Sequence, residues 1–168
     1  MSATIEKSRF NGGDWVVYPT HGVGKVTGIE DAEIAGCQLK LIVIQFDKDR
    51  MTLRIPVAKA QNSGLRPLSS RDHMNSALKT LRGRSRVRRT MWSRRAQEYE
   101  AKINSGDPVS IAEVVRDLHR NADQPDQSYS ERQIYQAALD RLARELAAVE
   151  NLDEESATEK LEAVLQAA

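Results

Sequence analysis

The chain is predicted to be an α+β protein: a small N-terminal β domain followed by a compact bundle of about five α-helices. Three observations predict it. Residues 10 to 60 are rich in β-branched and aromatic residues, alternate with period two, and are broken by Gly, Pro and Asp turns. From Ser69 onward the apolar residues recur every three to four positions, the period of a helix packed on one face. The switch between the two patterns happens once, with no internal repeat. This gives a β domain over 1–62, a linker over 63–69 and a helical domain over 70–168.

The elements follow in order. Asp14 to Tyr18 reads as a short strand that ends at Pro19, and His21-Gly22-Val23-Gly24 as a turn in which glycines can take positive φ. Lys25 to Ile34 is the next strand, running up to Gly36. Leu39 to Phe46 is apolar on both faces, with Leu39, Leu41 and Val43 on one and Ile42, Ile44 and Phe46 on the other, so it is expected to be covered on both sides. Asp47 to Arg50 is a polar turn. Met51, Leu53, Ile55 and Val57 then alternate with Thr52, Arg54 and Pro56, which places Arg54 opposite the apolar set. Pro56 has no N–H for a ladder, so this strand is expected to end, or lie at, a sheet edge. So many short strands in so few residues predict a small, strongly bent sheet or barrel.

Ser69 or Ser70 can cap a first helix that buries Met74, Ala77, Leu78 and Leu81 and stops near Gly83. A second carries Trp92, Ala96, Tyr99 and Ile103 on one stripe and ends at Ser105-Gly106. Asp107 and Pro108 supply the N-cap and first residue of a third, which buries Ile111, Val114, Val115 and Leu118. Ser130 with Gln133 reads as the capping box of the fourth and longest, whose stripe is Tyr135, Ala138, Leu142, Leu146 and Val149. The fifth starts near Asp153 and carries Ala157, Leu161, Val164 and Leu165. Asn121 to Tyr129 is a loop, and Gly83 to Thr90 has no apolar stripe of its own.

Charge is where function shows first. The 168 residues carry a net charge of only +1, yet Arg71 to Arg95 holds nine Lys and Arg against the single acid Asp72. Concentrated arginine binds phosphate, and an aromatic among arginines can contact bases or sugars. The densest run, RGRSRVRRTMWSRR, contains Trp92. By spacing alone Trp92 belongs to the core stripe of its helix. By position, in the first turn straight after the cationic run, it can project past the packed end as an aromatic wedge flanked by Arg94 and Arg95. From Glu145 to the C-terminus seven acids face Lys160 alone, so the chain is bipolar.

The chemistry of an enzyme is missing from the sequence. His21, His73 and His119 are far apart and belong to no known motif, no phosphate loop occurs, and no metal-ligand spacing is present. His21 reads as a turn residue bonded to backbone. Cys37 has no partner cysteine and is expected to be a small buried apolar residue at a strand start. No apolar run approaches a membrane span, MSATIEKSRF lacks a signal-peptide core, and the basic run has no amphipathic apolar face. A cytoplasmic, non-enzymatic binding protein is expected, without cofactor or metal, and monomeric because each stripe can be satisfied within the bundle.

GGDWVVYPTHGVGKVTGIE resembles the start of the CarD family of bacterial transcription regulators, whose widespread branch is called CdnL. MWSRRAQEYEAKINSGDPVSIAEVVRDLHR resembles that family's C-terminal domain: a WSRR helix, an SGD turn and an AEVVRDL helix. The first motif is shared with transcription-repair coupling factors; the second is not, and the chain has no helicase motifs. The resemblance covers almost the whole chain. It implies a Tudor-like (SH3-like) N-terminal domain that docks on the β1 lobe of the RNA polymerase β subunit. It implies a helical domain that meets promoter DNA at the upstream edge of the −10 bubble, where a Trp wedge in the minor groove hinders bubble collapse. Trp92 matches the wedge, with Arg94 and Arg95 as its basic neighbours; the basic run itself adds Arg86, Arg88 and Arg89 as expected DNA contacts. Arg54 matches a basic residue on the polymerase-facing strand, with Met51 and Thr52 as its expected companions. Ala32 stands where some relatives place a second polymerase-contacting Arg. A freestanding nucleic-acid-binding protein, whose β domain recruits another partner, is the alternative.

Overall fold

The structure is a computed structural model that describes residues 10, 12–46, 50–60, 62–85, 90–119 and 127–167. The chain divides into two compact units, Met1–Pro67 and Leu68–Ala168.

The first unit is one antiparallel sheet. Its strands are β1 (Trp15–Tyr18), β2 (Gly22–Ile34), β3 (Cys37–Phe46), β4 (Met51–Pro56) and β5 (Arg66–Pro67), in the order β4-β3-β2-β1-β5. The long β2 shifts register between Val26 and Gly28, where an extra residue, Thr27, is inserted. Such a bulge bends a strand. It falls where β2 passes from the span paired with β1 (Gly22–Lys25) to the rest of the span paired with β3. Ala35 and Gly36, both at positive φ, form the two-residue turn of the β2–β3 hairpin, a geometry that matches strand twist. Within β2, Gly24 leaves room for β3 side chains: a Cβ there would lie 2.7 Å from both Ile44 Cγ2 and Phe46 Cε1.

One face of the sheet holds a cluster of Phe10, Val16, Val26, Ile42, Ile44, Phe46, Ile55, Ala60 and Leu65. Leu41 and Val43, on the opposite face of β3, are buried as well, so β3 is covered on both sides as its composition predicts. β4 lies at the sheet edge, in agreement with Pro56. The two-residue β5 pairs with β1, so the sheet takes in part of the 63–69 segment assigned to a linker. Two residues are too few to display a period of two, which is why the sequence hides this strand. The expectation for Cys37 is wrong. It does open β3, but at the tip of the hairpin, where it is exposed. Directly opposite it stands Ile34, also solvent-exposed.

The second unit contains α1 (Arg71–Leu81), α2 (Trp92–Asn104), α3 (Pro108–Leu118), α4 (Tyr129–Glu150) and α5 (Glu154–Ala167). The stripes read from the sequence meet in a single cluster. Met74, Ala77, Leu78 and Leu81 join Ile111, Val114, Val115 and Leu118, then Leu142, Leu146, Leu161 and Leu165. Ser70 caps α1 by accepting from the His73 N–H at 3.1 Å. The cap of α4 is Ser128, which accepts from the Glu131 N–H; the sequence reading placed it two residues later, at Ser130. Ser128–Glu131 and Ser130–Gln133 both satisfy the capping-box pattern, so the pattern alone does not choose. Buried Glu145 accepts from the Ser69 hydroxyl at 2.7 Å and so ties the entry of α1 to the C-terminal part of α4.

Candidate nucleic-acid interface and docking face

The site begins at the N-terminus of α2. Its N-cap is Met91, whose side chain makes no capping bond, and its first turn carries no acid. The amide ends of such a helix form a positive edge. Met91 is 78% exposed, the most exposed of the large apolar side chains among the described residues. Trp92 follows it and is half-buried, packed against the helical cluster. It belongs to the stripe, and it stands at the stripe's N-terminal end.

Arg94 and Arg95 differ. Arg94 is exposed. Arg95 is three residues from Trp92 and four from Tyr99, which puts it on the apolar stripe itself. Its Cζ lies 5.4 Å from the indole centroid of Trp92 and 5.7 Å from the ring centroid of Tyr99. Its guanidinium also donates to the Tyr99 hydroxyl at 3.3 Å, while its Nε is enclosed without a hydrogen-bond partner among the described residues. Tyr99 is buried, and its ring is tilted by 48° to the indole at 6.2 Å. The sequence reading named Arg95 as a basic neighbour of Trp92 but did not place it on the stripe, although the i, i+3, i+7 spacing of Trp92, Arg95 and Tyr99 carries the signal.

Of the remaining cations, Arg71, Lys79, Arg82 and Arg84 are exposed. Arg86, Arg88 and Arg89 lie outside the described residues. The α2–α3 corner that holds this helix is built from Ser105, Gly106 and Asp107. The Ser105 hydroxyl donates to the Lys102 carbonyl, Gly106 takes a φ of 73°, and Asp107 caps α3. Asp107 accepts from the Val109 N–H, from the Ser110 hydroxyl at 3.0 Å, and pairs with His73 Nε2 of α1 at 3.0 Å. Burial pushes its carboxyl up, but the bonds from His73, Ser110 and the backbone outweigh burial and hold it below its ordinary value.

In the first unit, Arg54 sits on the face of β4 opposite the Ile55 side, as alternation requires. Its Nε meets Glu30 of β2 at 3.2 Å, with both side chains about half exposed (52% and 55%). Val43 stands opposite Arg54 and Leu41 opposite Glu30, so the ion pair spans the middle strand diagonally. Thr52 shares the face and is exposed; it heads a cross-strand row of Thr52, Gln45, Lys25 and Trp15. The Lys25 ammonium rides 5.5 Å from the centroid of the Trp15 ring. Met51 does not join them. It pairs with Phe46 on the other face and packs against the β cluster. Ala32 is half-buried on β2. His21 donates its backbone N–H to the Tyr18 carbonyl and stacks on the Tyr18 ring at 5.5 Å, a turn residue as expected. Among the described residues no group of three or more His, Cys, Asp or Glu is placed to hold a metal, and no helix is long and apolar enough to cross a membrane.

Comparison with known proteins assigns both units. Residues 10–69 match the CarD-like/TRCF RID domain, and residues 76–162 match the CarD C-terminal domain. A Bacillus subtilis (strain 168) protein named "Putative transcription factor YdeB" is 30% identical over 145 residues, covering 86% of this chain and 95% of that protein. The 72-residue N-terminal domain of Myxococcus xanthus CarD, solved by NMR in solution, is 33% identical; the match covers 34% of this chain and 77% of that one, with a TM-score of 0.31.

Proposed function

The chain belongs to the CarD family of transcription regulators, and from that premise we propose that it docks on the β1 lobe of the RNA polymerase β subunit and prolongs the promoter open complex. The family is one of regulators rather than enzymes, and the RID class of domain interacts with RNA polymerase in general. The β unit is the anchor, through the β4 edge and the face that carries Arg54 and Thr52. Met51, turned toward the core, supports that strand from behind instead of meeting the partner. The helical unit is the DNA-contacting part. The start of α2 meets the upstream edge of the −10 bubble, and Trp92 enters the minor groove there as one copy of the chain sits on the polymerase.

The observation that carries this reading is the α2 start itself. An accessible indole and an exposed methionine stand on a helix end without an acid or a side-chain cap, with exposed Arg94 beside them. Apolar wedges that open a base step need such a site: ring edge outward, cations for the flanking phosphates, and no carboxylate to repel them. Phosphate contacts are sequence-independent and weak when few. Docking on polymerase raises the local concentration of α2 at the DNA, so a few contacts suffice.

The test is open-complex lifetime on one promoter with purified polymerase, without factor and with wild type, Trp92→Ala or Arg54→Glu. Wild type lengthens the lifetime. A loss of about 1.4 kcal/mol of bubble stabilisation in Trp92→Ala shortens it roughly tenfold toward the factor-free value. Arg54→Glu abolishes the effect by weakening docking, and excess protein restores part of it. No change with wild type would remove the reading; an unchanged lifetime with folded, polymerase-bound Trp92→Ala would remove the wedge.

A further inference from the structure

We infer that Arg95 is a positioning residue for Trp92, and that Arg94 alone of the pair serves as the phosphate contact. The inference rests on the proposed DNA-facing role of the α2 start and divides its labour.

The two arginines are adjacent in sequence but stand about 100° apart around the helix axis. That rotation sends Arg94 to solvent and lays Arg95 along the stripe between Trp92 and Tyr99. Three contacts fix the guanidinium of Arg95. It lies within cation–π distance of the indole, within cation–π distance of the phenol ring, and donates to the phenol oxygen. The phenol is itself buried in the helical cluster, so the chain of contacts is anchored in the core: Tyr99 holds Arg95, and Arg95 braces Trp92. The enclosed Nε makes the same point. A guanidinium whose Nε is shut away from water and from any described acceptor is oriented by its neighbours and is not presented whole to a partner.

The consequence for a wedge is direct. An indole on a helix end has two side-chain torsions to lose when it inserts, and that loss weakens insertion. A planar cation held against the ring removes much of that freedom before the DNA arrives. Arginine suits the task where lysine does not, because its flat group can face a ring and hydrogen-bond at its rim at once. Cation–π contacts at accessible sites are worth about 0.5–1 kcal/mol, so losing this one shortens open-complex lifetime roughly two- to fivefold.

The experiment uses the full chain in two settings. In free protein carrying Trp15→Phe, Trp92 is the only tryptophan. Its time-resolved anisotropy and acrylamide quenching then report ring freedom without any DNA. Arg95→Ala and Tyr99→Phe increase local motion and quenching, Arg95→Lys increases them less than Arg95→Ala, and Arg94→Ala leaves them unchanged. In open complexes, the factor concentration giving half-maximal lifetime is measured over a series of salt concentrations. Arg94→Ala lowers the salt slope by about one counterion, as loss of a phosphate contact does. Arg95→Ala weakens the effect at every salt concentration with the wild-type slope, and Arg95→Lys recovers part of it. Unchanged Trp92 motion in Arg95→Ala overturns the inference, as does a drop in its salt slope equal to that of Arg94→Ala. If wild type fails to lengthen open-complex lifetime, the functional reading falls, while the fluorescence of the free chain still decides whether Arg95 orders Trp92.

Discussion

Replacing Asp107 tests how the α2–α3 corner holds its shape. The carboxylate has two separable jobs: it caps α3 through the Val109 N–H and the Ser110 hydroxyl, and it pairs with His73 of α1. Asp107→Ala removes both. Losing an N-cap costs about 1 kcal/mol. The His73 pair is about half exposed, 47% and 44% for its two side chains, so water screens it and it adds no more than about 0.5 kcal/mol. The sum, about 1.5 kcal/mol, lowers the melting temperature by roughly 6–12 °C for a unit of this size. Asp107→Asn retains a cap of similar quality and removes only the charge, so its cost is the smaller part, a few tenths of a kcal/mol. The pH dependence separates the two. Because the folded state holds this carboxyl below its ordinary value, its charge-dependent stabilisation is fully present above the unfolded pKa of about 3.9 and is lost as pH falls through the folded value. Melting of wild type and both variants by circular dichroism from pH 7 to pH 2.5 is the assay. The gap between wild type and Asp107→Asn closes below about pH 4, and Asp107→Ala remains the least stable at neutral pH. A gap between wild type and Asp107→Asn as wide at pH 3 as at pH 7 would refute the reasoning.

Three further outcomes follow from single residues. Gly24→Ala forces a methyl to 2.7 Å from Ile44 and Phe46, an overpacking cost of about 1–3 kcal/mol; urea unfolding followed through Trp15 in a Trp92→Phe background moves to a lower midpoint, and an unmoved midpoint contradicts the packing. Tyr135 is pushed up to about 12 by burial and by the charge of Glu162. In an absorbance titration Tyr135→Phe deletes a tyrosine step near 12, and the stability Tyr135 contributes, present below the usual tyrosine value of about 10, is lost as pH rises toward 12. Cys37 reacts with a thiol reagent in the native protein at the rate of a free thiol, with no change in circular dichroism; a requirement for denaturant would show that the hairpin tip is covered.

What the sequence made legible was whatever repeats. The helical stripes recur over three or more turns, so Met74, Leu78 and Leu81, or Leu142 and Leu146, announce themselves, and they are the residues found buried. The SGD corner was legible because each of its residues has a backbone job that few others can do: a hydroxyl at a helix end, a left-handed φ, a capping carboxylate. What failed lacked a period or had a rival. β5 is two residues long. Ser128 and Ser130 offer the same cap. Cys37 was judged by residue type, while its surroundings depend on hairpin length and strand register, which fix the face and the cover of a side chain.

Arg95 shows what charge density leaves unread. Sequence reading treats arginine as a surface charge, and the density of arginine around Trp92 encourages the view that all of them face phosphate. Helix geometry divides them instead: at 100° per residue, neighbours in the chain cannot share a direction. Arg95 shares its stripe with Trp92 and Tyr99, so its stem starts on the packed face, and its side-chain torsions decide whether the head stays there. It lies along that face, and its aliphatic stem and flat head substitute for an apolar residue there. The same geometry explains why Trp92 is only half-buried. It occupies the last position of the stripe, where packing ends and the uncapped helix terminus begins. A tryptophan one turn further along would be core; one residue earlier, in the place of Met91, it would have nothing behind it. Where Trp92 stands, the residue combines packing against the helical cluster with partial exposure at a helix end, and on that combination the proposed wedge rests.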